Sequence, residues 1–160
     1  MSDVIKTTAE AIEAAALPDA YALHMDAESS PCAEQEPIPS SMLQKPIEQK
    51  SPAEWAYERI VLYIQNFEKQ LDSDHEVGMG FVGGDVGTLK IQGMGYFAPD
   101  LITFYGADPM GAKMQLVQHV SQLNVMLVSA DKEDKAAEPN RIGFKLAKGL
   151  NEKHADGIVK

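Results

Sequence analysis

Beyond position 50, the apolar residues follow first a helical and then a strand-like spacing. The helical part begins at Ser51-Pro52-Ala53-Glu54, a capping box with proline at the first helical position. The apolar positions that follow at steps of three and four are Ala53, Tyr57, Ile60, Val61, Ile64, Phe67 and Leu71. This stripe predicts an amphipathic helix that faces a core and ends near Asp72.

Alternation with a period of two then predicts three strands, at residues 77–81, 88–96 and 101–105. The first two strands are interrupted by glycines, namely Gly78, Gly80, Gly93 and Gly95. Glycine inside a strand indicates a bulge or the close passage of another backbone or a ligand. Gly83-Gly84-Asp85 is typical of a tight hairpin turn. The simplest arrangement is a three-stranded antiparallel meander.

The remaining elements complete the predicted sheet. Asp108-Pro109 resembles an N-cap followed by proline, which predicts a second helix over residues 108–123. Residues 125–130 are too apolar for an exposed strand and are expected at the centre of the sheet. Residues 141–146 alternate cleanly and predict a last strand.

These elements give an α+β fold with a five-stranded, mainly antiparallel sheet and two helices, in the order α-β-β-β-α-β-β. The domain is expected to span residues 51–146, followed by a loose tail at 147–160. Before it, residues 1–50 are acidic and rich in proline, a composition that predicts a mostly disordered arm. Apolar residues at helical spacing in 3–17 fit a short docking helix or a fraying alanine-rich segment equally well.

Composition narrows the classes of function. The formal net charge is −10, and the few Lys and Arg residues are scattered, so nucleic-acid binding is not expected. Cys32 is the only cysteine, which excludes an internal disulfide and a cysteine-based zinc cluster. The longest apolar runs are too short to cross a bilayer, and the start lacks the pattern of a signal peptide. A reducing cytoplasm is the expected location.

A family resemblance covers about three fifths of the chain. The stretch LITFYGADPMGAKMQLVQHVSQLNVMLVSA, followed by RIGFKL, resembles an uncharacterised family of bacterial and phage-borne proteins, the domain of unknown function six-one-seven-three. The resemblance runs from Ser51 to about Leu146. It implies a bacterial or prophage origin and a domain that starts at the capping box, but no activity and no functional residue.

The first candidate site is the loop from Gly106 to Lys113, between a predicted strand and a predicted helix. Unpaired amides at a helix start attract anions, and Lys113 adds a full charge. Gly106 and Gly111 bracket this loop, and Tyr105 precedes it, where its ring is expected either to stack on a flat ligand or to belong to the core of the sheet. The spacing misses that of a phosphate-binding P-loop, and Asp108 would cap the amides and repel an anion. The alternative is therefore a capped turn.

The second candidate is a polar face of the predicted helix. Residues three and four apart lie side by side on a helix, which groups Gln115, Gln118, His119 and Gln122. Amide side chains both donate and accept, as a polar ligand or a nucleobase requires. The alternative is an ordinary solvent-exposed face.

Catalytic, metal and cofactor sites receive no support. No Asp, Glu, Ser or Cys follows His119 at a spacing that would make it a general base. His75 lies between Asp74 and Glu76, whose side chains point to the opposite face of an extended chain, so no metal site is expected. The glycine series contains no phosphate-binding fingerprint.

Two functional hypotheses remain open. The first is a non-catalytic binding module that captures a small anionic or nucleotide-like ligand near residues 106–113, in an oligomer and in a phage-associated protein. The second is a protein-interaction adaptor that binds a partner through the sheet edge or the His119 face, with the acidic arm as a tether. An enzyme is the weakest alternative.

Overall fold

The computed structural model describes residues 19–26, 31–81 and 88–159, with side chains as far as Lys153. The helices are α1 (Ser40–Leu43), α2 (Pro52–Glu68) and α3 (Ile142–Val159). The strands are β1 (His75–Phe81), β2 (Leu89–Phe97), β3 (Leu101–Ala107), β4 (Lys113–His119) and β5 (Val125–Asp131). Short 3-10 turns lie at Ala33–Gln35, Ile47–Gln49 and Val120–Gln122. The predicted helix at 3–17 and hairpin turn at 83–85 fall outside the described residues.

The five strands form one antiparallel sheet in the order β4-β3-β2-β1-β5. Its inner face packs against α2 and α3, and the side chains buried between them are Ala53, Ile64, Val77, Met79, Leu89, Ile91, Ile102, Phe104 and Ile142. The α+β class and the five-stranded antiparallel sheet are confirmed. No described element covers the opposite face, which we call the outer face.

Helix α2 begins where the capping box predicts. The Ser51 hydroxyl accepts the Glu54 amide at 3.1 Å, and Pro52 opens the first turn. The serine half of the predicted capping box is therefore confirmed. It could be predicted because it depends only on residues within one helical turn. The Glu54 carboxylate instead binds Lys45, Lys153 and Tyr96.

The predicted second helix at 108–123 is wrong. Residues 113–119 form β4, which pairs with β3 along its whole length, from Ala107 opposite Lys113 to Leu101 opposite His119. Gly111 adopts a φ of +87°, which a helix does not accept, and Met110 in the same turn is 91% exposed. Apolar residues in this segment occur at strand-like as well as at helical spacing. The segment forms a strand because it pairs with the edge of β3.

Two further elements differ from the prediction. Residues 125–130 form an edge strand, not a central one, because the chain leaves β5 for α3 without adding another strand. Residues 142–146 belong to α3, which Arg141 precedes, and Ile142, Leu146 and Leu150 lie four residues apart and turn inward. The helix continues to Val159, through the segment expected to be a loose tail.

Part of the expected arm packs onto the domain. Met42 of α1 is 2% exposed, and the buried Lys50 ammonium forms an ion pair with Glu58 of α2 at 2.5 Å. Ser41 donates to Asn151 of α3 at 2.8 Å. Residues 40–50 therefore belong to the folded unit, ahead of the boundary that the capping box suggested.

Candidate functional site

The turn between β3 and β4 is closed by Asp108. Its carboxylate accepts the amides of Met110 at 2.9 Å and Ala112 at 2.8 Å. The Asp108 amide donates to the Ala112 carbonyl, and the Gly111 amide donates to the Asp108 carbonyl. Two amides that an anion would need are therefore already bonded to a carboxylate, and no helix starts here to add its dipole. The capped turn is what the structure shows.

Four of the residues predicted to bind a ligand share the outer face. On β4, Lys113, Gln115 and His119 alternate with Met114, Leu116 and Gln118, which turn inward. Tyr105 of β3 lies directly opposite Gln115. Alternation in a strand puts residues two and four apart on one face. The structure thus places Tyr105, Lys113, Gln115 and His119 on one face, with Tyr105 beside Gln115 and with Lys113 and His119 at opposite ends of β4.

The other predicted residues do not join this face. The Gln122 side chain accepts the His119 amide at 3.0 Å and caps the short turn after β4. Gly106 points inward, where an added Cβ would lie 2.5 Å from the Lys90 carbonyl oxygen, so this glycine allows β2 and β3 to approach. Asp108 and Gly111 shape the turn.

Sequence reasoning missed how apolar the outer face is. Three cross-strand rows run over β2, β3 and β4: Phe97–Leu101–His119, Gly95–Thr103–Val117 and Gly93–Tyr105–Gln115. Phe97 is 75% exposed and Val117 is 54% exposed. The Tyr105 ring lies across Gly93 and Gly95, where added Cβ atoms would meet it at 3.7 and 3.8 Å. A tyrosine side chain, and not a backbone or a ligand, therefore passes over these glycines, and the expected bulge corresponds to the register shift between Ile91 and Gly93.

Strand β4 also has an open backbone edge. In an antiparallel pair, hydrogen-bonded residues alternate with residues whose N–H and C=O groups point away from the partner. The Val120 amide donates to the Asp100 carbonyl at 2.8 Å, and the Asp108 amide donates to the Ala112 carbonyl at 2.9 Å. These two bonds show that the backbone groups of the even-numbered residues of β4 bond to β3. The backbone groups of Lys113, Gln115 and Val117 therefore point to the open edge.

His119 lies at the end of this edge. Its Nε2 is 3.2 Å from an Asp100 carboxylate oxygen, and its Nδ1 contacts the Ser121 hydroxyl at 2.8 Å. Both ring nitrogens are thus engaged by neighbours. Asp100 and Ser121 therefore orient the ring, which corrects the expectation that no residue close after His119 would do so.

A cluster around Glu54 is the most perturbed ionisable site among the described residues. Its nearly buried carboxylate accepts from Lys45 at 2.9 Å, Lys153 at 2.8 Å and the Tyr96 hydroxyl at 3.0 Å. Burial alone would raise the pKa of Glu54, but the hydrogen bonds and charge of the two lysines and the tyrosine outweigh it and lower the pKa to about 2. The cluster joins α2, β2, α3 and the segment before α2, which is a structural role.

A groove lies between α2 and the residues before it, and Leu123 also lines it. Its volume is about 540 Å³, and its α2 wall includes Trp55, Arg59 and Tyr63. The Arg59 guanidinium already stacks 4.7 Å from the Trp55 ring centre. A hydrogen bond to Glu34 is the main cause that raises the pKa of Tyr63 to about 12. Carboxylates of Asp19, Glu34 and Glu36 line the rim, so the groove does not suit an anion.

Comparison with protein families places the chain. A family model described as a family of unknown function, DUF6173, matches residues 45–145. The chain belongs to this family. The resemblance inferred from residues 101–146 is thereby confirmed, and the match begins before Ser51, in agreement with the packing of residues 40–50.

Two other comparisons gave no result that bears on function. Neither the curated proteins nor the solved structures include a match to this chain. Within residues 19–26, 31–81 and 88–159, no helix is long and apolar enough to cross a bilayer. In the same ranges, no three His, Cys, Asp or Glu side chains are grouped to hold a metal ion.

Proposed function

We propose that this chain is a non-catalytic protein-binding module that adds an extended segment of its partner to the sheet at the edge of β4. The observation that carries the proposal is the open edge of β4. The backbone N–H and C=O groups of three alternate residues, Lys113, Gln115 and Val117, point to this edge. Strand addition uses main-chain hydrogen bonds for affinity and alternate side chains for specificity.

The outer face supplies the side-chain contacts for such a segment. A side chain of the added strand that lies on the outer face would be beside Val117 or Gln115. Tyr105 lies on the other side of Gln115, on β3. Apolar residues of the partner match Val117, and an acidic residue matches the ammonium of Lys113. The partner class is therefore an extended, partly apolar peptide segment with an acidic residue near one end.

A displayed library of random peptides, screened against the purified full chain, tests this function. Selected peptides should shift the amide NMR signals of β3 and β4. A Gln115→Pro variant should abolish binding, because proline removes an edge donor that β3 does not use. The matched control is Ser129→Pro on β5, which should leave binding intact. Peptides that shift only signals around Trp55, or that bind Gln115→Pro equally well, would contradict the proposal.

Capture of a small anionic or nucleotide-like ligand is the second candidate. It is favoured by the grouping of an ammonium, an amide and an aromatic ring in Lys113, Gln115 and Tyr105 on one face. The carboxylate of Asp108 in the adjacent turn weighs against it. A thermal-shift series with cyclic and linear nucleotides decides the matter. A ligand that raises Tm in the native chain but not in Lys113→Ala would support this function.

A further inference from the structure

Strand β5 is the second edge of the sheet, and it lacks the features that normally protect an edge. Residues 125–130 read Val-Met-Leu-Val-Ser-Ala, without a charge or a proline. Edge strands usually carry charges, prolines or bulges that prevent pairing with another strand. The one charged residue of β5 is Asp131, at the end of the strand. An unprotected apolar edge is expected where another strand covers it.

The backbone of β5 is oriented to receive that strand. The Lys132 amide donates to the Asp74 carbonyl at 3.0 Å, which assigns the even-numbered residues of β5 to the ladder with β1. The outward-pointing residues are therefore Val125, Leu127, Ser129 and Asp131. No described residue pairs with their outward side, since β5 ends the strand order.

The charge distribution around β5 favours a second copy of this chain. Two chains of net charge −10 repel each other over most of their surfaces. Asp131 ends β5, and Lys132, Glu133, Asp134 and Lys135 follow it, so this end has an excess of acidic residues, whereas residues 121–128 carry no charge. In an antiparallel pair of two β5 strands, the acidic end of each copy lies beside the uncharged beginning of the other. The contact avoids like charges.

We propose that two copies pair through β5 about a two-fold axis at Val128, which joins their sheets into one. This register aligns the full length of both strands, with Leu127 opposite Ser129 and Met126 opposite Ala130. In this register, the residues whose backbone groups point to the open edge of β5 face each other across the dimer. Odd-numbered residues meet odd-numbered residues and even-numbered residues meet even-numbered ones, so the inner faces of the two sheets lie side by side. Met126, which is 58% exposed in the single chain, becomes covered on the shared outer face.

Sedimentation velocity of the full chain over a concentration series provides the first test. The native chain should change from monomer to dimer, and Ser129→Pro should weaken association by about tenfold or more. Ser129 lies opposite Val77 in a pair without ladder bonds, so proline there removes only an outward donor. The matched control Gln115→Pro, at the equivalent kind of position on β4, should leave the dimer unchanged. Loss of the dimer in Gln115→Pro alone would overturn the proposal.

A cysteine introduced at Val128 tests the register without a proline. At a pair without ladder bonds, the two Cα atoms lie about 4.5 Å apart, within the range that a disulfide spans. In a Cys32→Ser background, Val128→Cys should form a covalent dimer under mild oxidation, and Val117→Cys on β4 should not. A full chain that stays monomeric at every concentration would overturn the proposal. So would a dimer that Val128→Cys fails to cross-link.

Discussion

The carboxylate of Glu68, the last residue of α2, accepts the amide of Phe144 in the first turn of α3 at 3.2 Å. One helix end thereby caps the beginning of the other. The two helices meet so closely that a Cβ at Gly143 would lie 2.5 Å from the same carboxylate oxygen. A hydrogen-bond acceptor at position 68 and a glycine at position 143 together allow this close junction.

We expect Glu68→Gln to be at least as stable as the native chain at about pH 7. Burial raises the pKa of Glu68, and the amides of Gly143 and Phe144 only partly oppose it. Because the folded-state pKa lies above the unfolded value, the stabilising contribution is present at low pH and is lost as the pH rises through the folded pKa. Glutamine keeps the acceptor without the charge. Urea unfolding at several pH values measures the difference.

The control for this prediction removes the acceptor as well. Glu68→Leu leaves the Phe144 amide uncapped and should cost about 1–2 kcal/mol of unfolding free energy. Relative to the native chain, Glu68→Gln should lose its advantage as the pH falls below the unfolded pKa of glutamate. An advantage that instead grew on acidification would show that the ionised form is the stabilising one.

The opposite pH dependence is expected for Glu54. Its pKa is lowered to about 2 despite burial, so its contribution is present above the unfolded pKa and is lost as the pH falls from about 5 towards 2. Glu54→Gln should cost about 1–2 kcal/mol at neutral pH, a value reduced for screening because Lys45 and Lys153 are 44% and 42% exposed. Unfolding curves of both proteins should converge in acid. A constant difference at every pH would exclude an ionic cause.

Local signals predicted the helix start, whereas tertiary pairing decided β4. The cap at Ser51 depends on residues within one turn, and the structure reproduces it. Residues 113–119 satisfy both a helical and a strand period, so the sequence alone did not separate the two. The position of β3 beside them settles the outcome, and that position is not encoded locally.

Some residues of the candidate site share a face in the structure although the predicted helix is wrong, and the reason is geometric. Residues four apart lie on one face in a helix and also in a strand, so Gln115 and His119 share a face in either structure. Gln122 is three residues from His119 and shares its face only in a helix, which explains its loss from the group. The Glu54 cluster left no local pattern, since Tyr96 and Lys153 are 42 and 99 residues away along the chain.

Gly106→Ala should destabilise the fold by about 2–3 kcal/mol. The added Cβ would lie 2.5 Å from the Lys90 carbonyl oxygen, and a backbone atom of a paired strand cannot move away easily. Gly149→Ala is the matched control, because no atom lies within 4 Å of its Cβ position and alanine favours α3 by about 0.5–1 kcal/mol. Chemical denaturation should therefore move the two midpoints in opposite directions. A neutral Gly106→Ala would mean that β2 and β3 separate at low cost.

Lys50→Met should cost about 3 kcal/mol or more of unfolding free energy, because it leaves the Glu58 carboxylate buried without its cation. Both side chains of this 2.5 Å ion pair are fully buried, and the Lys50 ammonium also donates to the Met42 carbonyl. The double variant Lys50→Met/Glu58→Met should recover most of the loss, since apolar side chains of similar length replace the whole pair. A double-mutant cycle measured by urea unfolding gives the coupling. If the two single losses simply added, the ion pair would not be what holds residues 42–50 against α2.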